Sequence, residues 1–113
     1  MEPTLSSDLL RGHTDTIVLA SLLEGDRYGF EIYNWIRKQT HDQYVLKETT
    51  LYSSYKRLER DGFIDSYWGD ETQGARRRYY RITAAGRKLY RRNVQDLEFT
   101  QQIINALLGK EIL

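Results

Sequence analysis

Residues 47–64 read KETTLYSSYKRLERDGFI. Leu51, Tyr55 and Leu58 fall at i, i+4 and i+7, one apolar line along a helix, and Gly62 supplies a stop. At about 100° per residue the opposite side carries Thr49, Ser53, Lys56 and Arg60, with Tyr52 and Arg57 on its flanks. The stretch therefore predicts an amphipathic helix whose exposed front begins in small hydroxyls and ends in cations. Such a front suits the major groove of a duplex. Small polar side chains let the backbone approach base edges, and longer donors discriminate bases or hold phosphate.

Downstream, FIDSYWG and RRRYYRIT read as short strands rich in aromatic and β-branched residues, and GDETQGA between them as a turn. The pair predicts a hairpin. Alternation puts Arg76, Arg78, Tyr80 and Ile82 on one side, and Arg77, Tyr79, Arg81 and Thr83 on the other. Tyr80 and Ile82 are the expected core anchors, so the arginines gather toward the tip. Upstream, TDTIVLASLLEG predicts a mostly buried helix capped by Thr14 and ended by Gly25, and YGFEIYNWIRKQT predicts a second helix capped by Asp26. Thr83 caps a long final helix in which Tyr90, Val94, Leu97, Gln101, Ile104 and Leu108 alternate +4 and +3, the spacing of a helix–helix seam. That seam favours a homodimer over a monomer that folds the helix back on helix one.

Three helices and a hairpin form the plan of a winged helix–turn–helix, in which the third helix enters the major groove and the hairpin reaches a neighbouring groove or the backbone. The expected fold class is mainly α with a small β-hairpin (α+β). Residues 1–83 form the winged unit and 84–113 the dimerisation helix.

The 113 residues suit one domain, and the net charge is only +1. Its distribution is uneven. Residues 47–92 hold 12 Lys+Arg against 6 Asp+Glu, and the remainder holds 5 against 10. One face for an anionic partner is expected on an otherwise mildly acidic body. There is no cysteine, which excludes disulfides and thiolate zinc sites. His13 and His41 have no partner at metal-ligand spacing, so no metal or other cofactor is expected. No nucleophile elbow, glycine-rich phosphate loop or acid–base set is visible, and no enzymatic activity is expected. Asp70 and Glu71 read as residues that solvate the hairpin tip or repel a wrong DNA geometry, rather than as an acid–base pair. The N-terminal stretch has no secretory pattern and no apolar run reaches membrane-spanning length, so a cytoplasmic protein away from membranes is expected.

Taken together, LLRGHTDTIVLASLLEGDRYGFEI, TTLYSSYKRLERDGFI and GARRRYYRITAAG resemble the PadR-like family of bacterial transcriptional regulators, in its shorter branch with a single C-terminal helix. The resemblance runs from about Leu9 to Leu89. It implies a dimeric winged-helix repressor with Tyr28–Ile32 opening the second helix, Thr50-Leu51-Tyr52 in the recognition helix and Arg78-Tyr79-Tyr80 in the wing. Two positions depart from the family pattern, Ser53 where a proline often follows the Leu-Tyr pair, and Lys47 where a small hydroxyl residue is common.

The residues expected to meet double-stranded operator DNA are Thr49, Thr50, Tyr52, Ser53, Lys56, Arg57, Arg60, Arg76, Arg77 and Arg78. Tyr52 suits either a base contact or packing against the hairpin. The family's smaller members bind flat aromatic or drug-like effectors near the dimer interface, which brings in Trp35 and Phe99 as effector contacts. For both Trp35 and Trp68, packing in the core or at the domain edge is favoured over stacking on a ligand. The rival function is a winged-helix module that docks protein, for which the helix front would be apolar or acidic.

Overall fold

The computed structural model describes residues 3–70 and 74–110. Glu71 and the last three residues of the C-terminal segment lie outside that range. A short helix, α1 (Ser7–Leu10), precedes α2 (Thr14–Ser21), and Ser6 caps α1 by accepting from the Leu9 N–H. Thr14 is the first residue of α2, with His13 in the cap position, and the helix ends four residues before the expected Gly25. The Arg27 Nε donates to the Ser21 carbonyl at 2.7 Å and takes an acceptor at the helix end.

Arg27 and Tyr28 form a two-residue strand, β1, that the hairpin reading did not include. It leads into α3 (Gly29–Gln39), whose start is closed by Glu31 accepting from the Tyr28 N–H at 3.1 Å. Asp26, the expected cap, instead accepts from the Tyr67 hydroxyl at 2.6 Å. The decisive stretch is α4 (Glu48–Arg60), entered at Lys47 with no side-chain cap. It stops as expected at Gly62, whose φ of +82° is a conformation glycine adopts without strain. There the Phe63 N–H donates to the Leu58 carbonyl at 2.9 Å and the Gly62 N–H to the Glu59 carbonyl at 3.1 Å, the paired bonds of a Schellman ending.

Strands β2 (Ile64–Trp68) and β3 (Arg78–Ile82) follow and pair antiparallel, with Ser66 opposite Tyr80 and Trp68 opposite Arg78. β1 adds to the free edge of β3, so the sheet order is β1-β3-β2. Thr83 caps α5 (Ala84–Leu107), accepting from the Gly86 N–H at 3.0 Å as the sequence predicts.

The core sits where the helices meet the root of the hairpin. Val18 and Leu19 of α2, Ile32 of α3, Leu51 and Leu58 of α4 and Ile64 of β2 are almost completely buried. Tyr80 and Ile82 are the buried residues of β3, as alternation predicts, and the Tyr80 ring lies 4.5 Å from that of Tyr55. The first half of α5 is tied to α2 by Asn93, which donates to the Thr16 hydroxyl at 2.9 Å. From Leu97 onward its apolar side chains are exposed.

Candidate nucleic-acid interface

The helical period sorts α4 into two faces. Leu51, Ser54, Tyr55 and Leu58 are buried, whereas Thr49, Thr50, Tyr52, Ser53, Lys56, Arg57 and Arg60 are all exposed. The Ser53 hydroxyl donates to the Thr49 carbonyl one turn back, at 3.0 Å. Lys56 lies over the Tyr52 ring, 4.8 Å from its centre, so the aromatic flank steadies the cation.

Between this front, the start of α3 and β3 runs a groove of about 670 Å³. Thr49, Tyr52 and Ser53 form one wall, and Arg77 and Arg78 of the wing line it from the other side. Tyr55, Tyr80 and Phe30 also face it. The structure therefore brings the start of the recognition helix and the wing arginines onto one concave surface. Thr50, Lys56, Arg57, Arg60 and Arg76 do not line the groove.

The cations differ in how they are held. Arg57 turns toward α2, where it grips Asp15 at two points, Nε to Oδ2 at 2.9 Å and Nη2 to Oδ1 at 2.5 Å. The Ser54 hydroxyl donates to the same carboxylate at 2.7 Å. Burial pushes the Asp15 carboxyl up, but the hydrogen bonds from Arg57 and Ser54, with the Arg57 charge, outweigh it and leave the pKa below the usual carboxylate range. Arg60 pairs with its neighbour Asp61 at 2.9 Å. Arg78 reaches the Glu59 carboxylate at 3.2 Å. Arg76 bonds the Gly69 carbonyl at 3.3 Å, and Arg76 and Arg78 both lie 5.9 Å from the Trp68 ring. Arg77 covers the Tyr28 ring at 4.8 Å.

Asp15, Glu59, Trp68 and Phe30 belong to this surface and were not foreseen. The partners of Asp15, Glu59 and Trp68 lie in other elements, so no local spacing marks them, whereas Phe30 stacks on Tyr33 of its own helix. Of the two expected effector contacts, Trp35 lines a separate cavity of about 300 Å³ with Leu23, Arg27 and Tyr90, whereas Phe99 is exposed farther along α5 and does not line it. Among the described residues no cluster of His, Asp or Glu could hold a metal ion, and no helix is long and apolar enough to cross a membrane.

Three helices, a hairpin and an α4 front that shares a groove with wing arginines define a winged-helix transcriptional regulator. The model of the transcriptional regulator PadR-like family matches residues 18–92, and the chain belongs to that family, whose members are regulators and not enzymes. A transcriptional regulator from Clostridium thermocellum is similar, 51% identical with a TM-score of 0.84, covering 91% of this chain and 97% of that one. A PadR family transcription regulator from Clostridium difficile is 33% identical, with a TM-score of 0.76 over 87% of this chain and all of the other. The Bacillus subtilis PadR, solved in complex with operator DNA, shares the fold at 19% identity and a TM-score of 0.64, covering 71% of this chain and 45% of that one.

Proposed function

We propose that this regulator is a homodimeric, sequence-specific DNA-binding repressor. The front of α4 reads bases through Thr49, Thr50, Tyr52, Ser53 and Lys56, and Arg76 and Arg77 of the wing bind phosphate. Arg57, Arg60 and Arg78 add charge from ion-paired positions. The observation that carries the reading is the shared groove, because Thr49, Tyr52 and Ser53 line one curved surface with Arg77, which suits base reading beside phosphate binding. The operator complex of the Bacillus subtilis relative supports it. The cationic front also argues against a protein-docking module, which would carry apolar or acidic residues there.

The exposed second half of α5 supports dimerisation, with Leu97, Gln101, Ile104 and Leu108 as the seam. Tyr90 and Val94, the first two seam positions, are half-buried within the single chain, Tyr90 against the core of its own winged unit. A small aromatic effector near Trp35, between the winged unit and α5, would release the operator. It shifts the equilibrium only by its different affinity for the two arrangements of the winged units.

Gel-shift titration of the DNA upstream of its own gene, at two salt concentrations, tests the reading. Binding should fall steeply with salt and exceed binding to a scrambled duplex by at least about 10³-fold. Thr49→Ala, Ser53→Ala and Lys56→Ala should each narrow that preference. Equal binding to both duplexes would overturn the assignment.

A further inference from the structure

The last turn of α4 and both wing strands meet at one carboxylate. Glu59 accepts a hydrogen bond from the Ser66 hydroxyl of β2. Its two oxygens also receive Arg78 Nη2 of β3, at 3.2 and 3.4 Å. Ser66 closes the triangle, with its oxygen accepting from Arg78 Nε at 3.0 Å and Nη2 at 2.8 Å. Trp68, opposite Arg78 in the register, lies beside the same guanidinium. We propose that Glu59 is a positioning residue for DNA recognition, a clamp that sets the angle between the recognition helix and the wing. The inference rests on the DNA-binding reading above.

The geometry makes a clamp at this point consequential. Below it, Tyr55 and Tyr80 pack the root of the wing onto α4. Above it, strand pairing soon ends. Among the described residues the outermost backbone bond across the hairpin runs from the Gly69 N–H to the Arg77 carbonyl, at 2.7 Å. Arg76 and Arg77 lie outward of the clamp along the wing, Arg76 bonded to the Gly69 carbonyl and Arg77 over the Tyr28 ring. A strand advances about 3.3 Å per residue, so a hinge of roughly 10° at Arg78 displaces the backbone of Arg76, two residues farther out, by about 1 Å and the guanidinium at the end of its side chain by up to about 2 Å. That is enough to take an arginine off its phosphate while the α4 front stays in register.

Charge alone predicts the opposite effect from positioning. Glu59 places a negative charge on the surface that meets the duplex, so its neutralisation should tighten binding to any DNA. A clamp predicts that Glu59→Gln weakens operator binding by about tenfold or more, the scale of one mismatched base pair, while affinity for a scrambled duplex is unchanged or higher. Ser66→Ala removes the bridging hydroxyl without touching charge and should weaken operator binding in the same direction at an unchanged salt slope. In both full-length variants the amides of Tyr67–Gly69 should exchange hydrogen faster than in the wild-type protein, with those of Leu51–Leu58 unaffected.

Gel shifts on both duplexes with hydrogen exchange on the same samples decide the matter. Operator binding by Glu59→Gln as tight as or tighter than wild type, with unchanged wing exchange, overturns the clamp. If that variant does not fold, Ser66→Ala alone decides by the same criteria. Wild-type protein with no preference for its upstream DNA overturns the DNA reading itself. Wild-type preference with both variants indistinguishable from it overturns the positioning role alone.

Discussion

A Cβ built on Gly86 would lie 2.1 Å from the Phe63 carbonyl oxygen and 2.8 Å from Ile82 Cγ1. No side chain fits there. In an open helix, glycine to alanine stabilises by up to about 1 kcal/mol. Here Gly86→Ala forces the first turn of α5 off the root of the wing, and should instead destabilise by about 3 kcal/mol, read from the urea midpoint. Asp15 offers a second test, with a pH signature. Its folded pKa is depressed, so the charged form stabilises the fold above the unfolded value of about 3.9 and that contribution is lost as pH falls through the folded value. Asp15→Asn should cost about 1 kcal/mol or less at neutral pH, because solvent screens a pair whose Arg57 side chain is 45% exposed. The difference from wild type should shrink below about pH 4 in acid titrations of the urea midpoint. Neither residue's role is legible in the sequence. Gly86 looks like an ordinary weak point in a helix, and Arg57 like one more cation of the helix front, since its partner is 42 positions away.

At the scale of elements, α4 and the hairpin were legible because each is written in its own local period. The i, i+4, i+7 line of Leu51, Tyr55 and Leu58 is buried, and Tyr80 and Ile82 are the inward pair of β3. β1 was not legible, since two residues carry no alternation and become a strand only by pairing with Tyr79 and Tyr80. For the candidate site, sequence spacing named the helix front and the wing cations but not the groove between them, which needs Phe30 from α3 as well. The two elements should fail differently. On the proposed reading, losing Arg76 and Arg77 together to alanine should remove phosphate contacts and no base contact. Affinity should drop alike on operator and scrambled DNA, and the slope of log K against log salt should flatten by about 0.9 for each phosphate released. A double wing variant with the wild-type slope, measured by gel shift across a salt series, would remove the wing from the interface.

The whole molecule measures 57 × 34 × 22 Å, and its length is carried by α5, about 36 Å of continuous helix. That helix has two halves with different surroundings. Tyr90 packs against the core of its own winged unit, whereas Leu97, Ile104 and Leu108 are exposed. The even +4, +3 spacing from Tyr90 to Leu108 concealed that division, because one period runs through the buried and the exposed half alike. Substitutions in the two halves should therefore separate stability from assembly. Tyr90→Ala should lower the melting temperature of the winged unit and leave the dimer's self-affinity largely unchanged. Leu97→Asp with Ile104→Asp should leave the winged unit folded by circular dichroism and shift sedimentation from dimer to monomer, since two buried carboxylates across a symmetric seam face their own copies. A monomer keeps one recognition helix and one wing, so its contact with a half-site survives. What it loses is the second half-site's binding as an intramolecular event, which is worth about 10²- to 10⁴-fold in affinity. The double variant should accordingly bind the full operator no better than a half-site, and a variant that stays dimeric would place the subunit contact elsewhere on the chain.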